Sequence, residues 1–137
     1  MKRNMKKIVT LLMILTLAIT ATVVLSGCGG PTTLEEYINS STEAQEELDS
    51  LETQLGDGGS VTVKENNVAI VYKYASTFDA DMVEQMKPQL ESAMESMDST
   101  FQNLVTQLED ESGLDGVSLN IEYQNGDGSI IYSKEYK

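Results

Sequence analysis

Apolar residues recur along this chain with two different periods, and the points where the period changes divide it into elements. From Thr33 to about Gly56 the spacing is helical: Leu34, Tyr37 and Ile38 share one face, and Ala44, Leu48, Leu51 and Leu55 continue it. Thr33-x-x-Glu36 is a capping box that opens this stretch, and Asn39-Ser40-Ser41-Thr42 interrupts it with further N-caps, Ser40…Glu43 and Thr42…Gln45 competing. A broken helix ending near Gly56 is predicted. Asp57-Gly58-Gly59 is a turn cluster, after which Val61 and Val63 alternate with Thr62 and Lys64. Asn66-Asn67 then supplies residues tolerant of positive φ, and Val68, Ile70, Tyr72 and Tyr74 alternate again, which makes a β-hairpin.

From Asp79 the helical period returns through Val83, Met86, Leu90, Met94, Met97, Phe101, Leu104, Val105 and Leu108. One long helix is predicted, with Pro88 either kinking it or marking the start of its regular part near Lys87, and Gly113 ending it. Val117, Leu119, Ile121 and Tyr123 alternate with polar residues, Asn125-Gly126-Asp127-Gly128 turns the chain sharply, and Ile130, Tyr132 and Tyr136 follow on one parity. A two-residue turn at either dipeptide, or a four-residue loop over both, keeps Ile121 and Ile130 on one face.

The fold class is therefore α+β in the order helix, hairpin, helix, hairpin (αββαββ). An antiparallel four-stranded sheet with helices on one face buries one parity of every strand. Thr62, Lys73, Ser118, Glu122 and Glu135 are left in water, and Val71 and Ile131 fall on the uncovered face. Thr53-Gln54-Leu55 before the first hairpin echoes Thr106-Gln107-Leu108 before the second, a hint of a duplicated αββ unit.

The N-terminus follows another logic. Lys2, Arg3, Lys6 and Lys7 precede an 18-residue run, Ile8 to Leu25, without a charge, the shape of an export signal. Leu25, Ser26 and Gly27 then lead into Cys28, which matches at all four positions the motif preceding the lipid-modified cysteine of bacterial lipoproteins. The resemblance implies cleavage before Cys28, diacylglycerol on its sulfur, and residence at the outer face of a cell membrane. Two or more acyl chains hold stably where one is marginal. The chain divides into a signal peptide, 1–27, a lipidated tether, 28–32, and one domain, 33–137.

Charge and composition restrict what that domain can do. The four basic residues of the signal leave with it, so five of nine remain against 22 acidic ones, and nucleic acid is excluded as a partner. The lone cysteine leaves no disulfide and no zinc or redox site, and the absence of histidine removes the usual general base, metal ligand and nucleophile pairs. No cofactor motif is present. Asn125-Gly126-Asp127-Gly128 and Asp110 to Asp115 are acidic, Gly-containing loops without the spacing of a calcium hand. Met82, Met86, Met94 and Met97 form a stripe that fits a core better than a binding groove.

Leu34-Glu35-Glu36-Tyr37-Ile38-Asn39 behind the lipid motif, the Val71-Tyr72-Lys73-Tyr74 strand, the amphipathic helix, Asp115-Gly116-Val117-Ser118 and the closing Ile131 to Tyr136 resemble a family of small Gram-positive lipoproteins. That family is classed as a domain of unknown function, and the resemblance carries no catalytic residue onto this chain. The expectation is a non-enzymatic binding module with an unidentified protein or peptide partner. Its candidate patch is Val71 and Ile131 with Tyr72, Tyr74 and Tyr132, since aromatic residues anchor interfaces. The alternative is an acidic, inhibitor-like or ligand-binding accessory to a basic peptide or a secreted enzyme. A third reading, a wall-glycan hydrolase, requires an enclosed carboxylate pair. The oligomeric state is open.

Overall fold

The computed structural model describes residues 30–137, so Leu25, Ser26, Gly27 and Cys28 lie outside the described residues. The first helical stretch is two helices, α1 (Leu34–Ser40) and α2 (Thr42–Leu55). Thr33 caps α1 by accepting the Glu36 N–H at 3.2 Å. The Glu36 carboxylate reaches one residue further back than a capping box requires, to the N–H and hydroxyl of Thr32, both at 2.8 Å. The break falls at Ser41, whose hydroxyl accepts the Ala44 N–H at 3.2 Å, so neither expected cap is used. Ser40 remains helical and donates its hydroxyl to the Tyr37 carbonyl at 2.7 Å, which leaves Ser41 as the first residue with extended backbone.

The expected long helix is likewise two, α3 (Ala80–Glu95) and α4 (Asp98–Ser112), and Pro88 is not where it breaks. Pro88 and Glu84, whose carbonyl loses its intrahelical donor, are both exposed, so water can take the donor's place. The interruption is at Ser96-Met97. The Ser96 hydroxyl donates to the Ala93 carbonyl at 2.7 Å, and the Met97 N–H closes onto Met94, three residues back, at 3.0 Å. Such back-bonding competes with the helical ladder. At the far end Gly113 takes the left-handed cap expected of it, φ 68°.

Four strands follow the sheet order β1 (Gly59–Lys64), β2 (Asn67–Lys73), β3 (Ser118–Gln124), β4 (Ile130–Tyr136). Both hairpins are present, and they join in one sheet. The joint is parallel, from Asn67 opposite Ser118 to Lys73 opposite Gln124, so the sheet is mixed and not wholly antiparallel. A parallel pair needs a long crossover, and α3 with α4 supplies one. The second hairpin keeps the lateral order and the buried face of the first but runs in the opposite direction, so no rotation superposes the two αββ units.

One parity of the strands is buried with the helices in a single core. Val61, Val68, Ile70, Leu119, Ile121 and Tyr136 meet Leu34, Leu51, Leu90, Met94, Phe101 and Leu108 there. On the other parity Thr62, Lys73 and Glu135 are exposed and Glu122 is half-buried. Ser118, expected in water, is buried instead, where it accepts a hydrogen bond from Asn67 Nδ2 at 2.7 Å on the neighbouring strand.

The second hairpin departs most from expectation. Its loop, Asn125 to Ser129, is odd-numbered: Gln124 faces Ile130 but Tyr123 faces Tyr132, so Ile131 is an extra residue, a bulge. The bulge reverses the parity. Ile130 is 59% exposed and Ile131 only 4%. Ile121 and Ile130 therefore do not share a face. In the first hairpin the positive φ belongs to Glu65, 53°, and not to an asparagine. At Gly58, φ 94°, glycine is required twice over, because a Cβ would stand 2.2 Å from the Lys73 carbonyl oxygen.

Candidate functional site

The structure divides the expected patch of Val71, Ile131, Tyr72, Tyr74 and Tyr132. Val71 alone is on the outer sheet face, half-buried in register with Ser60 and Glu122. Ile131 is in the core for the reason just given. Tyr72, Tyr74 and Tyr132 pack against the core from the helix side. What remains on the outer face is polar apart from Ala69, Val71 and, at its end, Ile130.

Tyr72 and Tyr74 instead join Tyr123 and Phe78 in an aromatic cluster at the ends of β2 and β3. Tyr72 and Tyr74 meet edge to face at 5.4 Å, Tyr74 and Phe78 likewise at 5.3 Å, and Tyr74 stacks on Tyr123 at 6.4 Å. Rings this close contact one another and leave no room for a guest between them. Burial, and after it the neighbouring phenols of Tyr74 and Tyr72, push the Tyr123 hydroxyl up to about 12. Its oxygen is buried and has no hydrogen-bond partner among the described residues.

Two asparagines tie loops together at opposite ends of the sheet. Asn125, 4% exposed, accepts the N–H groups of Phe78 and Gly126 at 2.8 and 2.9 Å and donates to the Phe78 carbonyl at 2.9 Å. At the other end Asn66 accepts the Leu34 N–H at 2.9 Å and donates to the Asp115 carbonyl at 3.2 Å. Sequence reasoning assigned both to turns and missed the long-range bonds, since nothing local distinguishes a turn asparagine whose side chain reaches another loop. Two carboxylates act similarly. Glu52 accepts the Val61 N–H at 3.0 Å, and Asp98 Oδ1 accepts Lys134 Nζ at 2.7 Å and the Tyr136 hydroxyl at 3.0 Å. The Lys134 bond above all holds the Asp98 carboxyl below its ordinary range, and it raises Lys134 in turn.

Charge is segregated. The four helices carry fifteen Asp and Glu and one basic residue, Lys87, while the strands carry Lys64, Lys73 and Lys134 against Glu122 and Glu135. Two of the helical acids, Glu47 and Glu111, each have an oxygen buried without a partner among the described residues, and burial raises both. The charge of Glu43 raises Glu47 further; Glu111 has no such neighbour of its own. Asp127 is engaged by Ser129, accepting its N–H at 2.9 Å and its hydroxyl at 2.6 Å, as a turn residue is. Among the described residues no three Cys, Asp or Glu converge as a metal site would require. Met86 and Met94 are core residues, and Met82 is 47% exposed.

No curated protein matches the chain. A solved structure from Pseudomonas aeruginosa, of a protein proposed to be secreted, aligns at 12% identity and a TM-score of 0.43 over 78% of this chain and 96% of its own. At that score the likeness supports no argument about fold or function. The family model described as a domain of unknown function (DUF4854) matches residues 34–136, from the first residue of α1 to the last of β4, and the chain belongs to that family.

Proposed function

We propose that this protein is an exported lipoprotein, held at the outer face of a cell membrane through lipid on Cys28, whose domain is a non-enzymatic binding module for a basic partner. The observation that supports the binding role is the segregation of charge onto the helices, fifteen acids against one lysine. A surface of one sign focuses its field and speeds encounter with a ligand of the other. A cationic peptide, or the basic surface of a secreted enzyme, meets that description. An apolar docking face on the sheet has lost its support, because its tyrosines pack on the helix side and Ile131 is in the core.

The anchor rests on Leu25-Ser26-Gly27-Cys28 behind its basic and apolar segments. The non-enzymatic reading rests on the lack of histidine and on the exposure of Glu43, the carboxylate that raises Glu47, which leaves that pair open to water and not enclosed as a hydrolase requires. Full-length chain from an exporting host tests both halves. The N-terminal peptide should carry diacylglycerol on Cys28, and Cys28→Ala should shed the protein into the medium. Vesicles bearing the protein should retain a decalysine peptide at low salt and lose about tenfold or more of the affinity near 0.5 M salt, where screening is nearly complete. Retention indifferent to salt, or none at low salt, would count against an electrostatic partner.

A further inference from the structure

The described chain begins at one end of the sheet, and that end is tied into a unit. Asn66 links the start of α1 to the approach of β3 through Leu34 and Asp115. Glu35 and Glu65 exchange two bonds: the Glu35 N–H donates to the Glu65 carbonyl at 2.9 Å, and the Glu65 N–H donates to the Glu35 carboxylate at 2.7 Å. The start of α1, the tip of the first hairpin and the start of β3 thus form one pole. Strands of up to seven residues separate it by about 20 Å from the other pole. There Phe78, the Gly58 turn and the Asn125 to Ser129 loop gather, and the two large apolar side chains exposed among the described residues, Met82 and Ile130, lie within five residues of the Phe78–Asn125 clamp.

Covalent geometry connects the first pole to the lipid. Gly30, the first described residue, is two residues from Cys28, at most about 7 Å of chain. We infer that the anchored protein stands on the pole of Thr32, Glu36, Glu65 and Asp115, with the Met82 and Ile130 pole turned away from the bilayer. This rests on the anchor reading above. Glu36, Glu65 and Asp115 are exposed, and the helices beyond them are more acidic still, so an anionic headgroup layer repels both. Repulsion keeps α2 and its carboxylates off the surface and open to a partner arriving from solution.

Cys28 is the only cysteine and its sulfur is blocked once lipidated, so one introduced cysteine takes a thiol-reactive fluorophore by itself. Asp115→Cys reports the near pole, Asp57→Cys the far pole and Glu46→Cys the helical side, and all three positions are exposed. Each full-length variant, checked by mass for lipid on Cys28, is placed in phosphatidylcholine–phosphatidylglycerol vesicles containing a headgroup-labelled quencher lipid. The D115C label should be quenched severalfold more than the other two. Lipidated protein whose D57C or E46C label is quenched as strongly as D115C overturns the orientation alone. Protein without lipid on Cys28 overturns the anchor, and the orientation with it.

Discussion

Asn125 shows how much one side chain can decide. Its amide satisfies three backbone groups, two of them on Phe78 in the loop that leads into α3. Replacing it with alanine leaves buried donors and an acceptor without partners, at about 1–3 kcal/mol each where water cannot enter. We expect Asn125→Ala to lower stability by about 2–4 kcal/mol in urea unfolding, well beyond the effect of an exposed turn substitution. Tyr123 makes a complementary prediction about pH. Its folded pKa is raised to about 12, above the ordinary tyrosine value near 10, so its contribution is complete below pH 10 and is lost as pH rises through 12. Absorbance titration of the wild type against Tyr123→Phe should therefore show the difference between them, the Tyr123 phenol, ionising near 12. In Tyr123→Phe, the stability lost between pH 10 and 12 should be smaller than in the wild type, as urea midpoints would record.

Among the elements, existence and ends were legible and joints were not. Thr33 begins a helix through its hydroxyl, and Gly56 and Gly113 end helices through their freedom at positive φ, both local effects that act within one turn. Ser96 was not legible as a break, since Met94, Phe101 and Val105 carry the apolar stripe straight across it. The parallel joint left a trace in the nearly continuous run Val68-Ala69-Ile70-Val71-Tyr72, which suits a central strand better than an edge one. The candidate patch failed for one reason at Ile131 and another at the tyrosines: a one-residue bulge reversed a parity, and the helix side claimed the rings. The bulge makes adjacent isoleucines opposite in consequence. Ile131→Lys should cost about 4 kcal/mol or more by burying a charge, and Ile130→Lys within about 0.5 kcal/mol, both read from denaturant midpoints. Equal effects would place the two side chains on terms the bulge does not allow.

At the scale of the whole molecule, the acids of the helices repel one another and have few cations near them. Salt should therefore stabilise the fold: the urea midpoint should rise between about 0.01 and 0.5 M salt as repulsion is screened, even though the Asp98–Lys134 pair weakens. Lowering the pH toward the ordinary glutamate range should act in the same direction. Glu47 and Glu111 have raised folded pKa values, so protonating them relieves a cost that ionisation imposes in the folded state. Asp98, held low, loses its contribution only as pH falls below the ordinary carboxylate range through its own folded value. The same charge distribution underlies the proposal that partners meet the helices and not the sheet. Amide NMR of residues 28–137 carrying Cys28→Ala, titrated with decalysine at low salt, tests it most directly. Shifts are expected along α2 and along α3 and α4, with Thr62, Ala69 and Asn120 on the outer sheet face undisturbed. Shifts confined to those strand amides, or none at all, would contradict it.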